Sequence, residues 1–147
     1  LLSWGKDKAR HPRIVLTTIS AFGHGGPYSD RVGFDGVAQA MSGSVYLSGE
    51  PGQPTRAYAS WGDYGTASLS AFGTLAALMS RNTTGRGQQV EGALLATAIS
   101  YFNGPLMEQQ QLKLDREATL NRGQTAGPSD VFRCKDGWII VLVNGDP

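Results

Sequence analysis

Trp61-Gly62-Asp63-Tyr64-Gly65-Thr66-Ala67-Ser68-Leu69-Ser70-Ala71-Phe72-Gly73-Thr74-Leu75-Ala76-Ala77-Leu78-Met79 carries two periodicities at once. Leu69, Phe72, Ala76 and Met79 form an apolar stripe at helical spacing. Thr66, Ser70, Gly73 and Ala77 form a second stripe of small residues, of the kind that lets another backbone come close. The pattern predicts a helix over 63–81 buried on two sides. At its mouth one carboxylate, Asp63, stands among glycines. Arg81 and Arg86 give the far end a cationic stop, where the helix dipole favours positive charge.

Working back from this helix, residues 13–19 are a short β-branched apolar run that suits a buried strand of a parallel sheet. The glycine-rich loop 20–28 follows at the strand's C-terminal end, where open α/β sheets bind ligands. Residues 34–43 predict a short helix, with Val37, Ala38 and Met41 on one face and Gly43 as its stop. Residues 44–60 read as a loop with turn signals at 49–52 and at Pro54, and a hairpin within it. Residues 1–11 read as the tail of a helix that Pro12 ends.

Working forward, 88–93 is extended and 94–114 a second helix. Leu94, Leu95, Ala98, Ile99 and Phe102 form its apolar face, and Pro105 should kink or break it near 103–104. Residues 115–128 form a polar linker. Residues 129–134 and 138–143 read as two strands joined at Lys135-Asp136-Gly137, since Asp-Gly is a strong hairpin signal. Both ends look cut, so the sequence reads as a piece of a longer protein.

The 147 residues suffice for one domain with a core. A charged fraction of 17% and a formal net charge of +1 give no charge-based pull toward nucleic acid or an anionic membrane. No apolar run reaches the ~20 residues that span a bilayer. The single cysteine, Cys134, forbids an intrachain disulfide and fits a reducing, cytoplasmic setting. It lies between Arg133 and Lys135, but without a base partner it reads as an inert strand cysteine.

Two readings of Asp63 stand side by side. Asp is a favoured helix N-cap. A carboxylate at a helix N-terminus also stays ionised, and an ionised carboxylate is a nucleophile able to form an acyl intermediate. Flanking glycines would leave room for a substrate carbonyl. Other chemistry has weaker support. His11 and His24 lack metal-ligand spacing, and no GxSxG marks a serine nucleophile. The loop Gly23-His24-Gly25-Gly26-Pro27 fits neither the P-loop nor the dinucleotide fingerprint. His24 alone reads as a loop residue, and Glu108 as a solvated helix residue.

Several segments in this order resemble the class III CoA-transferase family, the carnitine dehydratase / bile-acid-inducible protein F type. They are Thr18-Ile19-Ser20-Ala21-Phe22-Gly23 with Gly26-Pro27-Tyr28, and Gly33-Phe34-Asp35-Gly36-Val37-Ala38-Gln39-Ala40-Met41-Ser42-Gly43. Gly49-Glu50-Pro51, the Gly62-Asp63 helix start, Leu75-Ala76-Ala77-Leu78 and Thr84-Gly85-Arg86-Gly87-Gln88 follow. Pro128-Ser129-Asp130-Val131-Phe132 with Lys135-Asp136-Gly137-Trp138 completes the set. No single motif is decisive; their order and spacing carry the likeness.

The resemblance implies an α/β protein. Residues 1–114 would be part of a Rossmann-like large domain with the catalytic helix. Residues 115–128 would be a linker, and 129–147 the opening hairpin of a smaller α+β domain. It implies an interlocked homodimer, no prosthetic group, and an acyl-CoA thioester and a free carboxylic acid as substrates. Neither nucleic acid nor a membrane is expected as a partner. By this likeness Asp63 is catalytic, attacking the thioester to give a mixed anhydride and then an aspartyl-CoA thioester, with water kept out. Gly33, Phe34, Asp35 and Gly62 would lie at the CoA and substrate site, as shape and backbone rather than acid/base groups. A shielding glycine loop would match part of 121–127. Related 2-methylacyl-CoA racemases carry histidine where this chain has Phe34. Racemisation needs a base on each face of the α-carbon, so Phe34 favours transfer. A racemase-like isomerase using His24, and a non-catalytic CoA-binding fragment, remain the alternatives.

Overall fold

The computed structural model describes residues 3–143. Helix α1 (Trp4–Arg10) is capped by the Ser3 hydroxyl and ends at His11, ahead of Pro12. Strand β1 (Leu16–Ser20) leads into the glycine-rich loop. Helix α2 (Asp35–Met41) follows and stops before Gly43, whose φ of 88° suits a residue without a β-carbon. The segment expected as loop holds a one-turn helix, α3 (Ser44–Leu47), and a two-residue hairpin, β2 (Gly49–Glu50) with β3 (Gln53–Pro54).

Helix α4 (Trp61–Thr84) is longer than the apolar pattern predicts, beginning two residues earlier and ending three later at Gly85 in the left-handed region. Strand β4 (Gln89–Ala93) pairs in parallel with β1, from Leu16 opposite Gln89 to Ser20 opposite Ala93. Parallel pairing requires a long crossover, and α2, α3, the small hairpin and α4 supply it. The helical segment expected over 94–114 is broken, as Pro105 predicts, into α5 (Leu94–Tyr101) and α6 (Asn103–Leu112). The break falls at Phe102, which places Pro105 in the first turn of α6, where its missing N–H costs nothing. Strands β5 (Ser129–Arg133) and β6 (Trp138–Leu142) form the expected antiparallel hairpin, closed by the Cys134 N–H on the Gly137 carbonyl at 2.8 Å. Cys134 therefore sits in the turn rather than in the strand.

The two stripes of α4 have different fates. The small stripe lies on the sheet: Thr66, Ser70 and Ala77 are buried, and Gly73 and Gly92 allow close contact. The apolar stripe stays exposed, Phe72 at 73% and Met79 at 71%. The expectation of a helix buried on both sides is thus corrected. Small side chains set the distance between helix and sheet, and no described element lies over the bulky stripe. Three contacts fix the direction of α4. Thr66 and Ser70 meet Gly92 near the end of β4. The Thr74 hydroxyl bonds that of Thr17 near the start of β1 at 2.6 Å. Arg81 Nη1 donates to the Arg13 carbonyl, ahead of β1, at 3.1 Å. The helix therefore runs antiparallel to the strands, and its N-terminus stands at their C-terminal ends. A small core of Ala38, Leu94 and Ala98, with Ala21 and Trp61 against it, joins α2, α5 and the start of α4.

Candidate active site

Asp63 stands in the first turn of α4, at the C-terminal ends of the parallel strands, and its side chain is exposed. It is not the cap. Ser60 holds the N-cap position without a side-chain hydrogen bond, and Asp63 lies three residues inside. The capping carboxylate comes from another helix. Asp35 Oδ1 accepts the N–H groups of Gly62 at 2.9 Å and of Asp63 at 3.4 Å. These are the two amides an ordinary N-cap side chain would satisfy.

Asp35 is only 3% exposed. A carboxylate buried so deeply needs its lone pairs filled. Its Oδ2 accepts from Gln39 Nε2 at 2.6 Å, and the Arg56 guanidinium lies 3.7 Å away. Gln39, itself 1% exposed, accepts the Ala57 N–H through Oε1 at 3.0 Å and donates to the Ala59 carbonyl at 3.3 Å. One i, i+4 pair on α2 thereby fixes both the strap before α4 and its first turn.

The glycines around Asp63 face inward. A β-carbon on Gly62 would lie 2.9 Å from Asp35 Oδ1, and one on Gly65 2.5 Å from the Tyr101 ring. Their lack of side chain serves the contacts with α2 and α5, and the first turn of α4 sits close to both. Gly33 is likewise held against Ala21 and Phe22, while Phe34 is 74% exposed. Asp35, Gly62 and Asp63 thus meet at the α2–α4 junction, Phe34 stands beside them at the N-cap of α2, Gly33 packs on the glycine-rich loop, and Phe34 and Asp63 are exposed. Gln39 and Arg56 belong to this junction too. The sequence signal for Gln39 was its spacing from Asp35, which puts two polar groups beside Ala38 on the inner side of a short helix.

His24 lies elsewhere. Its ring Nδ1 and its main-chain N–H both bond Glu91 Oε1. The hydrogen bond from the His24 side chain, more than desolvation opposes it, holds the Glu91 carboxyl below its ordinary range. Val90 and Gly92 face α4, so Glu91 between them points to the opposite side of the sheet. The pair ties the glycine-rich loop to the face away from Asp63. Among the described residues no cluster of His, Cys, Asp and Glu is arranged to hold a metal ion, and no helix is long and apolar enough to cross a membrane.

The chain is similar to known proteins in sequence and in fold. The chain is 33% identical over 147 residues to succinyl-CoA–D-citramalate CoA-transferase of Chloroflexus aurantiacus, covering 99% of this chain and 37% of that protein. It is 40% identical over 111 residues to formyl-CoA:oxalate CoA-transferase of Streptomyces avermitilis, covering 75% and 27%. Its fold superimposes on the crystal structure of a CAIB/BAIF family protein from Brucella suis with a TM-score of 0.85 at 28% identity, over 95% of this chain and 37% of that one. The chain thus spans about a third of the length of these relatives. The sequence profile of CoA-transferase family III matches residues 1–147, and since no part of the chain falls outside that match, the chain belongs to CoA-transferase family III.

Proposed function

We propose that the intact protein is a CoA-transferase that moves CoA from an acyl-CoA thioester to a free carboxylic acid, with Asp63 as the nucleophile. The observation that carries this reading is an exposed carboxylate in the first turn of a helix at the C-terminal ends of parallel strands, in a chain of this family. The named activities of its relatives support the same chemistry.

The Asp63 carboxylate attacks the thioester carbonyl, the C–S bond breaks, and CoA thiolate leaves a mixed anhydride. Thiolate then attacks the Asp63 acyl carbon, releasing the donor acid and leaving an aspartyl-CoA thioester. The acceptor carboxylate displaces thiolate to form a second anhydride. Thiolate attacks the acceptor's carbonyl, which yields the new acyl-CoA and regenerates Asp63. Each step exchanges one acyl bond for another, so the thioester's free energy is kept if water is excluded. The exposed Phe34 shapes the approach to Asp63, Gly62 lets the first turn of α4 sit against Asp35, and main-chain N–H groups suit the developing oxyanion.

In this reading residues 1–114 belong to a Rossmann-like large domain and 129–147 open a smaller one. An interlocked homodimer would cover the exposed stripe of Leu69, Phe72 and Met79. The test is the intact Asp63→Ala protein, incubated with succinyl-CoA or formyl-CoA and a panel of free acids. Transfer should disappear while the circular dichroism spectrum is kept, and hydroxylamine added to the acyl-CoA-loaded wild type should leave a hydroxamate on Asp63. Transfer retained in Asp63→Ala overturns the reading.

A further inference from the structure

We infer that Asp35 is a positioning residue for the transfer reaction, acting through the main chain of Asp63 and braced by Gln39. The inference rests on Asp63 being the nucleophile. Asp35 has no open route to substrate: it is 3% exposed, and both carboxylate oxygens are occupied. What it holds is the geometry of the turn that carries Asp63. Gly62 and Asp63 have no intrahelical partner for their N–H groups, because they are the second and third residues of α4. Asp35 Oδ1 takes both. Gln39 Nε2 fixes the other oxygen, and Gln39 Oε1 holds the strap at Ala57.

This chain of bonds runs from the buried side of α2 to the amide of the reacting residue, across 28 residues of sequence. No local group stands in for it, since the Ser60 side chain makes no capping bond. Without the anchor, the first turn of α4 frays and the Asp63 carboxylate loses its fixed line of approach to a thioester carbonyl. A misplacement of about 1 Å costs on the order of a hundredfold in rate.

The experiment compares Asp35→Asn, the double variant Asp35→Asn/Gln39→Glu, and Asp63→Ala in the intact protein. Asparagine at 35 keeps an acceptor for Gly62 but turns an amide donor onto the Gln39 amide donor. Glutamate at 39 restores an acceptor there and still accepts the Ala57 N–H. In Asp35→Asn, kcat for CoA transfer should fall about a hundredfold per folded molecule, with KM for the acyl-CoA within about threefold. Amide hydrogen exchange at Gly62 and Asp63 should quicken. The double variant should recover most of the lost kcat and slow that exchange again. Unchanged kcat in Asp35→Asn, or a kcat loss that the double variant leaves in place although exchange recovers, overturns the inference. If Asp35→Asn does not fold, the double variant decides alone: near-wild-type kcat supports the positioning role, and a hundredfold deficit with protected amides overturns it. Failure of the Asp63 reading is seen separately, as transfer retained in Asp63→Ala.

Discussion

Gly92 of β4 lies so close to Ser70 of α4 that a β-carbon on the glycine would collide with the serine hydroxyl. The same β-carbon would lie 3.1 Å from Thr66 Cγ2 and 3.3 Å from Ile19 Cγ1. This contact sets how near the helix comes to the parallel strands, and so where the N-terminus of α4 stands.

Gly92→Ala should therefore destabilise the protein by about 1–3 kcal/mol, as overfilled interiors do. Ser70→Gly in the same molecule removes the colliding hydroxyl. The double variant should be more stable than the sum of the two single changes allows, by about 0.5–3 kcal/mol. Urea denaturation of the four proteins in the cycle measures this. Strict additivity would mean that the helix tilts away and the two residues do not share one space.

The tie between His24 and Glu91 predicts a pH dependence. Glu91 holds its proton less tightly when folded, so in acid the unfolded chain binds more protons. The stabilisation is present above the ordinary glutamate range and disappears as pH falls through the lower, folded value. Both side chains are more than a third exposed, so the effect is that of a screened surface pair, at most about 1 kcal/mol. Wild type should melt above Glu91→Gln near neutrality, and the gap should close by about pH 3. A gap that stays constant across that interval would show that the pair confers no such linkage.

Phe34 offers no proton, and His24 is held to the sheet face away from α4. Among the described residues, neither Phe34 nor His24 therefore supplies the second base opposite Asp63 that an α-proton exchange mechanism needs. The intact protein, incubated in deuterated water with 2-methylacyl-CoA and no acceptor acid, should place no deuterium at the α-carbon. Nuclear magnetic resonance of the recovered thioester reads this directly, and rapid incorporation would restore the isomerase alternative.

Much of the fold was legible along the chain. The period of residues 66–79 fixed a helix there, the β-branched run before Ser20 fixed a strand, and Asp136-Gly137 fixed the last hairpin. These features arise from neighbours in sequence, through periodicity and turn chemistry. The chain length of α4 was underestimated because Trp61 and Thr84 lie outside the apolar pattern, although their backbones continue the helix.

The sequence by itself determined the family and the helix that carries Asp63, and it is the ground on which Asp63 rather than a histidine is proposed as the reacting group. Only the tertiary structure decided which stripe of α4 meets the sheet, that Asp63 is not its own cap, and that the glycines beside it face the interior. Hydrophobicity favours burying Phe72 and Met79, yet close approach to Gly92 admits only the small stripe. Asp is a favoured cap wherever a helix begins, yet the amides of Gly62 and Asp63 go to Asp35, a buried carboxylate 27 residues before Gly62. Such pairings join distant parts of the chain, so local periodicity and propensity carry no trace of them.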